Sequence, residues 1–183
     1  MKNKYLMLIR HFETFQNSKK IEKIKFKDSF DKAISFTNFI ESYIKKYPQI
    51  KKIKFYTSEH ERTMMTSLIL SSSIKSEMLK NKFLNIQVID PVLHDMIDRD
   101  PKKQKTQSTC VFFEKKLEES FKEDTLYIHI THSSIIYNLF KCILEYLLDI
   151  KMKDFKERIH NHSISSIAKI DDKVSYIFNK KID

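Results

Sequence analysis

No glycine occurs among the 183 residues, where average usage would be ~7%. That absence governs every place at which the chain must turn sharply or pass close to a ligand. Turns that need a positive φ fall to Asn, Asp and Ser, whose short polar side chains suit such positions. Nucleotide sites of the G-x-G-x-x-G or P-loop kind are excluded, because both need glycine for close approach of backbone to phosphate. Any phosphate-cradling loop must be built otherwise.

Apolar runs alternate with amphipathic stretches along the chain. Tyr5 to Ile9 reads as a buried strand ending at Arg10-His11. After a charged linker, Asp28 or Ser29 can cap a helix with the stripe Phe30, Ala33, Ile34, Thr37, Ile40, Ile44 and Tyr47, which Pro48 stops. Ile53 to Tyr56 reads as a second strand, and Ser58 with Glu61 makes a capping-box pattern before a helix carrying Arg62, Met65, Leu68 and Ile69. Ile86 to Ile89 is a third strand candidate, with Asp90-Pro91 as a turn signal and a long polar loop over 94–108.

Val111 to Phe121 suggests a helix, and Leu126 to Thr131 a strand whose far end delivers His132. Ser133 or Ser134 can cap the helix after it, with Ile136, Leu139, Phe140, Ile143, Leu144 and Leu147 on one face, and a shorter piece with Met152, Phe155 and Ile159 follows. Ile164 to Ile170 and Val174 to Phe178, joined at Asp171-Asp172, read as a terminal hairpin. Strands alternating with helices predict a three-layer α/β/α sandwich with a mostly parallel central sheet.

The hydrophobic content of 41% can supply a core for one domain spanning 1–183 without disulfides or metals. The net charge of +10 attracts anionic partners, although the lysines are scattered in pairs, with no basic stripe interleaved with aromatics. Nucleic-acid binding is therefore a minor hypothesis, supported by net charge alone. Cys110 and Cys142 have no metal-ligand spacing, and two cysteines fit a reducing, cytoplasmic setting better than a disulfide framework. No apolar run approaches the ~20 residues of a membrane helix, and none looks like a cleavable leader.

Four blocks carry the chemistry. L-I-R-H-F-E-T-F-Q-N at 8–17 resembles the L-x-R-H-G-E-T-x-x-N signature of the histidine phosphatase superfamily, in its phosphoglycerate-mutase-like branch. Y-T-S-E-H-E-R-T-M-M-T at 56–66 resembles that family's S-S-x-x-x-R-A-x-x-T segment, I-T-H-S-S at 130–134 its S-H-G-G segment, and N-H-S at 161–163 its Asn-x-Ser strand entry. The likeness spans nearly the whole chain. It implies a phosphoglycerate-mutase-like fold and a metal-independent phosphatase, with no cofactor, that hydrolyses a phosphomonoester through a phosphohistidine.

Carried over position by position, the resemblance makes His11 the nucleophile, with Arg10, Arg62 and His132 holding phosphate oxygens. Chemistry favours the same cast independently, since a neutral imidazole accepts a phosphoryl group and guanidinium forks match phosphate oxygens. Taken alone, each has a plainer reading: Arg62 as a surface ion-pair partner of Glu59 or Glu61, and His132 as a core histidine. Their occurrence together in order favours the site.

His129 is three residues before His132 on the same strand and is expected to point to the opposite face. Thr14, Asn17 and Ser133 are candidate substrate contacts. Asp95 stands where the family supplies a Glu as proton donor to the leaving group, with His94, Asp98 and Asp100 as alternatives in the same loop.

Phe12 replaces the family's Gly after the nucleophile, and its ring either lines the leaving-group pocket or obstructs it. Ser133-Ser134 replaces Gly-Gly, and the W-x-G element after the acid loop is missing. These departures leave a catalytically impaired, phospho-ligand-binding pseudophosphatase as one alternative and a phosphoglycerate-mutase-type phosphotransferase as another. The expected partner is a small phosphorylated substrate or a phosphoprotein.

Overall fold

The computed structural model describes residues 3–13, 26–58, 60–80, 86–93, 124–142, 144–145, 149, 159–160, 162–171 and 173–182. Its centre is a six-stranded sheet in the order β3-β2-β4-β1-β5-β6. The strands are β1 (Lys4–Arg10), β2 (Lys52–Thr57), β3 (Gln87–Leu93), β4 (Thr125–Thr131), β5 (Ser163–Ile170) and β6 (Lys173–Lys181). Pairing is parallel among β1 to β4 and antiparallel where β5 meets β1 and β6. The mostly parallel sheet expected from the alternation of strands and helices is therefore present.

Strand alternation divides the core into two layers. Tyr5, Met7 and Ile9 of β1 face helices α1 (Phe26–Lys46) and α2 (Glu61–Lys80), against Ala33, Phe36, Ile40, Ile69 and Leu70. Leu6 and Leu8 face helix α3 (Ser133–Cys142), against Ile136, Leu139 and Phe140. Both faces of β1 and β4 are thus covered, which is why these strands read as continuous apolar runs. The architecture is the predicted α/β/α sandwich.

Several local expectations are corrected. α1 begins at Phe26, so Asp28 lies in its first turn instead of capping it. Its buried stripe is Ala33, Phe36, Thr37, Ile40, Tyr43 and Ile44, whereas Phe30 and Ile34 are about half exposed. In α2 the buried apolar positions are Ile69, Leu70 and Ile74, and Leu68 is exposed.

Asp90-Pro91 does not end β3. The strand runs through it, and the register jumps from Lys54↔Ile89 to Tyr56↔Val92, leaving Asp90 and Pro91 opposite Phe55 alone. This bulge on an edge strand is where a proline, which cannot donate to the ladder, is tolerated.

Left-handed positions fall where a glycine-free chain requires: among the described residues, positive φ occurs at Asp149 (50°), Asp171 (51°) and Asn179 (49°). Asp171 makes the turn between β5 and β6, as the hairpin reading expects. Cys142, at the end of α3, is disulfide-bonded, which departs from the reduced thiols expected from the cysteine count. Cys110, the proposed helix over 111–121, and residues Ile143, Leu147, Met152 and Phe155 lie outside the described residues.

Candidate active site

The parallel pairing of β1 with β4 brings the two motif histidines together. The register matches Ile9 with Ile130 and Arg10 with Thr131, and the His11 amide donates to Thr131 O at 3.0 Å, carrying the ladder one step further. The next residue on each side is a histidine. Their ring centroids lie 5.1 Å apart with planes at 64°, close to the ~4.8 Å between neighbouring strands. Because β1 leads to a helix on one face and β4 to a helix on the other, the chains part here and open the crevice where α/β sheets ordinarily bind ligands.

His11 is only 6% exposed, and its Nδ1 lies 2.8 Å from Phe12 O. A carbonyl can only accept, so Nδ1 carries the proton and the lone pair of the neutral ring is on Nε2. Burial pushes the His11 pKa down to about 3, and the charges of Arg62, His132 and Arg10 push it the same way, against the hydrogen bond to Phe12 O. The ring is therefore held neutral at any ordinary pH. Arg10, itself 8% exposed, is fixed by Nη1 donating to Ile159 O at 2.6 Å.

Two helix N-termini meet at the same place. His132 O accepts from Ile136 N at 3.0 Å, so His132 caps α3 and Ser133 is its first residue, in place of the serine cap expected from sequence. His60 O accepts from Thr63 N at 2.9 Å and Met64 N at 3.1 Å and caps α2 in the same way. The His60 and His132 rings meet edge to face at 4.9 Å and 79°. Two positive helix ends thus lie side by side, a setting that favours an anion. Ser58 bonds through its hydroxyl to Thr63 Oγ1 at 2.6 Å.

α2 is also keyed to the nucleophile's segment. Thr66 Oγ1 accepts from Phe12 N at 2.9 Å and donates to Arg62 O at 2.7 Å. One hydroxyl therefore ties the residue after His11 to the turn that carries Arg62.

His11, Arg10, Arg62 and His132 are brought together, with half-buried Ser133 adjoining. Phe12 is not part of this group. Its ring is fully buried against Phe36, with centroids 5.7 Å apart, in the core under α1. The chain leaves strand geometry after Arg10, so the ring turns inward and neither lines nor obstructs the crevice.

His129 is buried against Tyr56, ring centroids 4.8 Å apart, as a core histidine would be. Thr14, Asn17 and Asp95, with His94, Asp98, Asp100 and Glu59, lie outside the described residues. Among the described residues no group of three or more His, Cys, Asp or Glu side chains is arranged to hold a metal ion.

Two residues were missed in the sequence. His60 falls at a variable position inside the second motif, so the motif gives no signal for it. His162 lies near Arg10 and is pushed down to about 4, first by burial and then by the charges of Lys32, Lys181 and Arg10, with Glu13 opposing. The one signal for it is the N-H-S motif, of which it is the middle residue.

No family model and no curated protein sequence matches this chain. Solved structures do. One described as the phosphohistidine phosphatase SixA from Agrobacterium tumefaciens matches at 8% identity over 95% of this chain and 97% of that one, with TM-score 0.53. A mycobacterial hydrolase matches at 11% identity over 100% and 93%, with TM-score 0.55. A mycobacterial glucosyl-3-phosphoglycerate phosphatase, solved with inorganic phosphate, matches at 11% identity over 97% and 98%, with TM-score 0.53. At such identities the likeness is one of fold. The chain shares the phosphoglycerate-mutase-like fold of these three structures.

Proposed function

We propose that this protein is a metal-independent phosphatase, acting as one domain, that hydrolyses a phosphomonoester through a phosphohistidine on His11. What carries the reading is the convergence at the β1/β4 crevice: a neutral ring whose Nδ1 is tied to Phe12 O, beside His132 and under the charges of Arg62 and Arg10. Nε2 attacks phosphorus, and the guanidinium groups with His132 spread positive charge over the phosphoryl oxygens. Water then hydrolyses the N–P bond. Ser133, Thr14 and Asn17 are proposed substrate contacts, and the substrate is a small phosphorylated molecule or a phosphoprotein, suited to a chain of net charge +10. No described helix is long and apolar enough to cross a membrane.

Of the departures behind the pseudophosphatase alternative, Phe12 has its ring in the core against Phe36, which argues against obstruction of the site by that ring. A small aryl phosphate tests the reading directly. Wild-type turnover is expected to survive chelator and to fall by at least ~10³-fold in His11→Asn, which keeps a donor for Phe12 O but removes the nucleophile. Equal rates in the two proteins would end the proposal.

A further inference from the structure

The imidazoles of the site form a graded row. His11 is 6% exposed, His132 is half-buried, and His60 is exposed. Centroid steps of 5.1 Å and 4.9 Å connect them. A phosphoryl group held at His11 must send its leaving group outward, because in-line attack places that group opposite the nucleophile. The exposed ring of that row is His60, in contact with His132.

A monoester with an alcohol leaving group needs a proton there. Guanidinium groups cannot supply one, which removes Arg10 and Arg62. Of the other described histidines, His129 packs on Tyr56, and His160 stands at the entry to β5, where its amide bonds Asn179 Oδ1. His162 sits among the charges of Lys32, Lys181 and Arg10. An imidazolium can donate a proton to a leaving oxygen, and the neutral ring can accept one from water.

Resting on the phosphatase reading, we propose that His60 is the proton donor to the leaving group. In the first half-reaction the His11 Nε2–P bond forms and the P–O bond to the leaving group breaks. The released electron pair stays on that oxygen, and the proton of the His60 imidazolium joins it to give the free alcohol. In the second, water attacks phosphorus, neutral His60 takes a proton from it, the N–P bond breaks, and inorganic phosphate leaves. His60 ends protonated, as it began.

The test compares esters whose leaving groups differ in their need for a proton. In His60→Gln and His60→Asn, kcat/KM on ethyl or phenyl phosphate should fall by about 10²-fold or more, while 4-nitrophenyl phosphate, whose phenolate departs unprotonated, should change less than about 3-fold. A purely structural role would depress both substrates alike and would overturn the donor assignment. So would no change on either, which would move the donor to the loop of Asp95. Wild-type turnover that does not depend on His11 would instead sink the phosphatase reading, and the donor role with it. Independently of turnover, saturating inorganic phosphate should move the His60 ring resonances in the wild type. Resonances unmoved while those of His11 and His132 shift would overturn the placement.

Discussion

His11 shows how one side chain can be useful chemically and costly thermodynamically. Its pKa in the fold is about 3, well below the ~6.5 of an unfolded imidazole, with burial as the main cause. Between those values the unfolded chain binds a proton that the folded one does not, so stability rises with pH across the window. The contribution is complete above pH ~6.5 and is lost as pH falls toward 3. Urea unfolding at pH 7.5, 6.5 and 5.5 should therefore give a falling free energy, steepened further by His162. His11→Asn should flatten the fall by up to ~1.4 kcal/mol per pH unit, and an unchanged slope would mean that the ring is not held neutral.

At the scale of elements, Thr66 is the joint between α2 and the loop after β1. Thr66→Val leaves the buried Phe12 amide without its acceptor and should cost ~1–3 kcal/mol in denaturant unfolding. The same change loosens Arg62 relative to His11 and should lower kcat about tenfold through lost positioning. Thr66→Ser restores the hydroxyl and should recover both. If Thr66→Val matches the wild type in both measurements, the joint carries no weight.

How much of this was legible in the sequence depends on how local each signal is. The strand ending at His11, the helix bearing Arg62 and the strand delivering His132 could be read because each is a short apolar run beside its motif. The stripe of α1 was misplaced because Phe30 and Ile34 continue an apolar period that the sheet does not reach. Pro91 reads as a stop unless its strand is known to lie at an edge. Phe12 and His60 depend on tertiary placement: one on where the chain turns after Arg10, the other on two helix ends meeting. No local pattern shows either.

For the molecule as a whole, the crevice gathers cationic groups on a chain that is already strongly basic, so binding an anion should reinforce the folded state. Inorganic phosphate at a hundred times its dissociation constant should add ~2.7 kcal/mol to stability, seen as a rise in melting temperature. Arg62→Ala should weaken that rise, and added neutral salt should diminish it by screening. A melting temperature indifferent to phosphate would show that the crevice does not bind oxyanions.

The bulge at Asp90-Pro91 reaches beyond its own strand. It interrupts the hydrogen-bonding rim on one flank of the sheet, while the opposite flank, β6, carries Lys173, Lys180 and Lys181. Among the described residues neither border offers a long, flat, uncharged template, so a neighbouring molecule gains little by adding a strand to it. Even at high concentration, edge-to-edge stacking into fibrils is disfavoured by the architecture itself.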